Sequence, residues 1–340
     1  MSAASAPRAV IFGCAGHRLT PAERRLYHAA QPWGVILFSR NIENPAQLAA
    51  LTAELRDATG RDLPILIDQE GGRVQRMGPP HWRAWPPALE QSLHTRDPER
   101  AMYLRGRLIA AELLRCGITV NCAPLADIAT PSTHAVLQNR CYGMDAASVS
   151  TIARAMSNGL MHGGVLPVLK HIPGHGRATR DSHRELPHVT ASRQTLESSD
   201  FAPFRGLADL PLAMTAHVVF SQIDPSAPAT QSHRMIRVIR DDIGFEGLLM
   251  TDDISMEALS GTVARRAELA LGAGCDVILH CNGVFEEMET LAEICPVLEG
   301  GAQKRSERAL AARRDALFID EATLLREYQA LVDPGEAITD

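Results

Sequence analysis

The stretch from Lys170 to His183, KHIPGHGRATRDSH, gathers three histidines, a lysine and an aspartate around glycines and a proline. Three kinds of chemistry use such a set. A metal would draw on His171, His175, His183 and Asp181, but their spacing matches no zinc pattern such as H-E-x-x-H, and spacing within a loop does not fix ligand geometry. A phosphate group needs a cradle of backbone amides, and two glycines flanking one histidine make a poor one even with Lys170 and Arg177 beside it. Proton transfer fits the residue types better. In DSH the acid and the imidazole are two residues apart, so in extended chain Asp181 and His183 point the same way. A carboxylate beside an imidazole raises its pKa from about 6.5 and selects one tautomer. Most isolated DSH tripeptides are surface turns; this one follows a Lys170–His171 pair at the end of an apolar run and is joined to it by a glycine-rich linker.

That run is one of eight: RAVIFG (8–13), GVILFS (34–39), LPILIDQ (63–69), GITVNCAPL (117–125), VLPVLKH (165–171), LAMTAHVVF (212–220), GLLMTDD (247–253) and CDVILHC (275–281). Most are continuously apolar, as expected of parallel strands buried on both faces. Helical segments lie between them: NPAQLAALTAELRDAT with an Asn-Pro start, DAASVSTIARAMSNGLMHGG with an Asp cap, SRQTLESSDFAPFRGL, TVARRAELALGAG and FEEMETLAEI. Alternating β and α elements predict an α/β fold. Eight strands favour a single (β/α)8 TIM-like barrel over an open doubly wound sheet, and no G-x-G-x-x-G follows the first strand. The charged, helix-forming tail (303–332) reads as a C-terminal helical extension packed on the barrel, with the whole chain, 1–340, as one domain.

Barrels carry their sites where strands end. The polar residues there are Arg40 and Asn41, then Asp68, Gln69 and Glu70, Asp127, Lys170 and His171, His217, Asp252 and Asp253, and finally His280 and Asn282. Aspartates at such a rim need partners, and Lys170, Arg76 and Arg140 are the cations expected to supply them. A ring of salt bridges that merely closes the barrel top is the structural alternative.

Composition narrows the function. Of 340 residues, 45% are hydrophobic and 22% charged, ordinary for a globular protein, and the net charge of -6 argues against nucleic acid as a partner. The amino terminus has no signal-peptide pattern and no apolar run approaches a membrane span, so a cytoplasmic location is the default expectation. The seven cysteines are scattered without a CxxC pair and read as reduced core thiols.

Taken in order and spacing, DQEGGRVQR (68–76), NRCYGMD, KHIPGHGRATRDSH, AMTAHVVFSQIDPSAPATQS and TDDISM (251–256) resemble the glycoside hydrolase family 3 β-N-acetylglucosaminidases, bacterial cytoplasmic enzymes of peptidoglycan recycling among them. The resemblance implies a retaining exo-hydrolase that removes terminal N-acetylglucosamine from muropeptide-like glycosides. It makes Asp252 the nucleophile and Asp253 its structural neighbour, His183 the general acid/base, and Asp181 the partner of His183. Asp68, Arg76, Arg140, Lys170 and His171 match the sugar-binding positions. No metal and no cofactor are implied, the partner is a small amino-sugar glycoside, and a monomer is the default. Two departures, Ile172 for the usual aromatic and NRCYG for the usual DRSFG, remove no matched charge and bear on fine specificity. The alternatives are a broader β-N-acetylhexosaminidase, a β-glucosidase-like family 3 enzyme and a catalytically silent sugar-binding barrel. A further one is a phosphorylase, since a neutral histidine repels an incoming phosphate less than a carboxylate would.

Overall fold

A computed structural model describes residues 6–180 and 185–332; Asp181 and His183 therefore lie outside the described residues. Each of the eight apolar runs overlaps one strand of a closed parallel barrel. They are β1 (Arg8–Phe12), β2 (Pro32–Leu37), β3 (Ile65–Ile67), β4 (Val120–Asn121), β5 (Leu166–Ile172), β6 (Leu212–Thr215), β7 (Leu248–Asp253) and β8 (Val277–His280). They pair in sequence order, and β8 returns to β1 through Val10 opposite Ile278 and Phe12 opposite His280.

The two-residue period of a strand sorts the apolar side chains into two cores. Ile11, Ile36, Leu66, Val168, Met214 and Met250 pack together inside the barrel, while their neighbours Val10, Val35, Ile67, Leu169, Ala213 and Leu249 join the larger core under the helices. That period carries a consequence for the rim. Leu66 is followed two residues on by Asp68, Val168 by Lys170, and Met250 by Asp252, so three interior rows end in ionisable groups.

The helices that follow successive strands are α1 (Pro21–Ala30), α2 (Pro45–Thr59), α3 (Pro98–Arg115), α4 (Ala146–His162), α5 (Arg193–Ser198), α6 (His233–Arg237), α7 (Val263–Ala273) and α8 (Phe285–Ile294). The expected caps are present: Asn44 accepts from the Gln47 amide, Asp145 from Ser148, and Gly60 ends α2 at φ 66°. The sequence reading passed over α3, although Asp97 caps it and Pro98 opens it. SRQTLESSDFAPFRGL holds two short helices, α5 and Ala202–Arg205, not one; between them Asp200 pairs with Arg177 at 2.7 Å. The tail is likewise two helices, α9 (Gly300–Ala311) and α10 (Glu321–Val332). Helix α9 is tied to the barrel by Ser306, which accepts from the Trp33 indole at 2.7 Å, and by Arg305 on Asp276. Helix α10 lies on α3, with Glu327 on Arg100 at 2.7 Å and Tyr328 edge-on to Trp85. All seven cysteines are buried and unbridged.

Helices α3 and α4 approach closely because glycine faces glycine. A Cβ on Gly106 would stand 2.7 Å from the Met156 carbonyl oxygen, and one on Gly159 would meet the Tyr103 carbonyl and stand 3.0 Å from the Arg107 nitrogen. Alanine favours a helix over glycine by about 1 kcal/mol, but overpacking against backbone costs about 1–3 kcal/mol. Gly159→Ala should therefore be net destabilising, seen as a lower urea midpoint; a raised midpoint would show that the helices separate freely.

Candidate active site

Asp68, Lys170 and Asp252, at the ends of the interior rows of β3, β5 and β7, line one pocket at the carboxyl end of the barrel. Its walls include Ile36, Met214 and Leu279 from the strands, His171 from the end of β5, and Phe38, Arg76, Arg140 and His175 from the segments that follow strands. All six expected site residues that are described, Asp252, Asp68, Arg76, Arg140, Lys170 and His171, meet here, whereas Asp181 and His183 lie outside the described residues.

The pocket wall is built on alternating charges. Lys170 Nζ, 2% exposed, lies 3.0 Å from Asp68 Oδ1 and 2.6 Å from Glu70 Oε1. Arg76 donates to the other Asp68 oxygen at 3.0 Å, and Arg140 makes two 2.9 Å bonds to the Glu70 carboxylate. Burial alone would push Asp68 and Glu70 toward the neutral acid, but Lys170 and Arg76 hold Asp68, and Arg140 and Lys170 hold Glu70, below the usual carboxylate range. Burial likewise opposes the ammonium of Lys170, and Asp68 and Glu70 raise its pKa in spite of it. The salt-bridge alternative is thus met in part: the ion pairs exist, but Asp68, Arg76, Arg140 and Lys170 still face the pocket.

Glu70 was on the sequence list of rim residues, yet its role as the hub was missed. Its partners stand 70 and 100 positions away in sequence, so local pattern carries no signal for them. The turn that presents it depends on Gly71, at φ 108°, where a Cβ would fall on the guanidinium of Arg105. Arg105, buried, donates to the Glu70 carbonyl and, at 2.7 Å, to Gln91, whose side-chain oxygen also accepts from the Tyr328 hydroxyl at 2.8 Å.

Asp252 differs from the other carboxylates. Its one hydrogen bond among the described residues comes from the Asp253 amide at 2.8 Å, which leaves most of its acceptor capacity toward the pocket. Burial opposes its charge, but His217, His171, the Asp253 amide and Lys170 outweigh it and keep the carboxyl below its ordinary value. Asp253 is occupied with the loop: its carboxylate accepts from Ser255 at 2.7 Å and from the Cys281 amide at 3.1 Å. Beneath them His217 donates from Nε2 to the Asp253 carbonyl at 3.0 Å and meets the Thr230 hydroxyl at 2.7 Å. The remaining rim polars are structural. Arg40 and Asn41 donate to the Cys14 carbonyl, and His280 pairs with Glu287.

A (β/α)8 barrel with such a pocket at the carboxyl ends of its strands has the architecture of the barrel enzymes. The model of the glycosyl hydrolase family 3 N-terminal domain matches residues 18–314, and the chain belongs to this family. It is 41% identical over 281 residues to a beta-hexosaminidase of Alkalilimnicola ehrlichii, covering 80% of each chain. It is 39% identical over 285 residues to that of Bordetella avium, covering 81% of each. Among solved structures it resembles NagZ from Neisseria gonorrhoeae in complex with N-trifluoroacetyl-D-glucosamine, with a TM-score of 0.83, 31% identity and coverage of 96% of this chain and 97% of that one. It also resembles a family 3 beta-N-acetylglucosaminidase from Paenibacillus, with a TM-score of 0.84, 29% identity and coverage of 95% and 67%.

The buried cluster sets a stability expectation. Removing the Glu70 charge leaves Lys170 and Arg140 short of a buried partner, which costs about 3–5 kcal/mol. Because the native pKa of Glu70 is depressed, its contribution is fully present above its unfolded value of about 4.3 and is lost as pH falls through the native one. Urea unfolding of Glu70→Gln should show the full deficit at pH 7 and a shrinking one below about pH 4.3. A deficit independent of pH would mean that shape, not charge, is at stake.

Proposed function

We propose that the protein is a retaining exo-β-N-acetylglucosaminidase, working as one catalytic barrel, that releases terminal N-acetylglucosamine from small glycosides of the peptidoglycan-fragment type. The observation that carries the reading is Asp252, a carboxylate held ionised in a pocket where the cations Lys170, Arg76 and Arg140 are already paired with Asp68 and Glu70. The beta-hexosaminidase relatives and the neighbour bound to a glucosamine derivative support the amino-sugar substrate.

In this scheme Asp252 attacks the anomeric carbon as His183 gives its proton to the leaving oxygen, and the glycosidic bond breaks to leave a glycosyl ester on Asp252. His183 then takes a proton from water, whose oxygen displaces Asp252 and frees the sugar. Asp181 orients His183 and stabilises its charged form. An imidazole suits this double duty, since its unperturbed pKa lies near neutrality. Asp68, with Arg76, Lys170, His171 and Arg140, holds the sugar hydroxyls. Lys170 Nζ donates one proton to Asp68 and lies beside the Glu70 carboxylate, and with three protons it keeps donor capacity for substrate. Such contacts are most useful where they tighten toward the oxocarbenium-like transition state. Among the described residues no helix is long and apolar enough to cross a membrane, and a cytoplasmic site of action is part of the proposal.

The decisive experiment compares an aryl N-acetyl-β-glucosaminide with the aryl β-glucoside; turnover of the glucoside alone would reject the amino-sugar reading. Asp252→Ala should abolish turnover, and a fluorinated N-acetylglucosaminide should label Asp252, as mass spectrometry of the trapped peptide reads. His183→Ala should slow substrates with poor leaving groups far more than activated aryl glycosides. Equal losses on both would remove His183 from the acid role.

A further inference from the structure

One buried carboxylate beside the pocket has no part in the scheme above. Asp127 follows β4, is fully buried, and does not line the pocket. Its Oδ2 lies 2.8 Å from His171 Nδ1, its Oδ1 accepts from the His175 amide at 2.6 Å, and both oxygens lie 3.3–3.4 Å from the His171 amide. Burial opposes its charge, but the His171 ring and the His175 amide hydrogen-bonded to it hold the carboxyl below its ordinary value, so it is ionised at neutral pH. An ionised carboxylate only accepts hydrogen bonds. The ring nitrogen facing it must therefore carry the proton.

We propose that Asp127 is a positioning residue that fixes His171 as the Nδ1–H tautomer, so that Nε2 meets the substrate as a hydrogen-bond acceptor. The role for His171 toward substrate rests on the glycosidase reading; the tautomer assignment does not. His171 lines the pocket, and its Nε2 has no partner among the described residues. A bare Nε2 complements its chain neighbour: Lys170 only donates, whereas His171 accepts from a sugar hydroxyl or an acetamido N–H. Two adjacent residues thereby read a donor and an acceptor on the same ring. His175 completes the arrangement. Burial, then His171, lowers its pKa to about 4, so it stands neutral against His171 at a ring separation of 5.6 Å and adds no competing charge.

The alternative is that Asp127 serves only to tie down two backbone amides. Asp127→Asn separates the two, because its oxygen still accepts from the His175 amide while its NH2 group presents a donor to His171 Nδ1 and forces the proton to Nε2. Nitrogen-15 NMR of histidine-labelled protein, with the His171 signal assigned by its loss in His171→Ala, should show the Nδ1–H form in the wild type and the Nε2–H form in Asp127→Asn. On an aryl N-acetyl-β-glucosaminide, kcat/KM should fall about 10- to 100-fold, as for other partners that orient a functional histidine. That loss should largely vanish when measured in the His171→Ala background. An Nε2–H or doubly protonated wild type overturns the proposal even if Asp127→Asn does not fold, and so does an undiminished loss in the double variant. A wild type that does not cleave the substrate overturns the glycosidase reading and leaves the tautomer result standing on its own.

Discussion

An ammonium buried between two carboxylates governs this structure. Lys170 lies 2% exposed, and a charge so placed is costly unless its partners are close and themselves well bonded. Both conditions hold: Asp68 and Glu70 flank it, and Arg76 and Arg140 neutralise what Lys170 leaves over. The barrel interior below is apolar, so these groups cannot relax inward. Their polarity is directed up, toward the pocket at the carboxyl ends of the strands.

The division of labour among the carboxylates follows from that balance. Asp68 and Glu70 are saturated by cations, Asp127 by an imidazole and two amides, and Asp253 by the loop after β7. Among the described residues, Asp252 combines pocket access with a single backbone donor. Asp68, Glu70, Asp127 and Asp253 are held by several ion pairs and hydrogen bonds each, whereas Asp252 keeps most of its acceptor capacity toward the pocket.

Much of this is legible in the sequence because a parallel barrel converts period into position. The eight apolar runs fixed strand number, and the alternation Leu66–Asp68, Val168–Lys170 and Met250–Asp252 carries the interior face up to the rim. What escaped was pairing across the chain. The bond between Arg140 and Glu70, or between Asp127 and His171, joins loops after different strands, and no spacing rule links them. Helix α3 has a local signal in its Asp97–Pro98 start, but no apolar run of the kind that marks the strands. The tail reads as a helix or a helix pair; Asp320, which accepts from the Ala322 amide and the Thr323 hydroxyl, marks the start of α10, while the contacts that take α9 under the barrel and lay α10 on α3 carry no local signal.

The link from Tyr328 through Gln91 and Arg105 to the Glu70 carbonyl has a consequence for the order of events during synthesis. The residue that closes this chain of bonds is translated long after the turn it steadies. A nascent chain held on the ribosome short of α10 carries every pocket residue and still lacks the final brace behind Glu70. The brace behind this part of the pocket wall thus forms only once α10 has emerged and docked on α3.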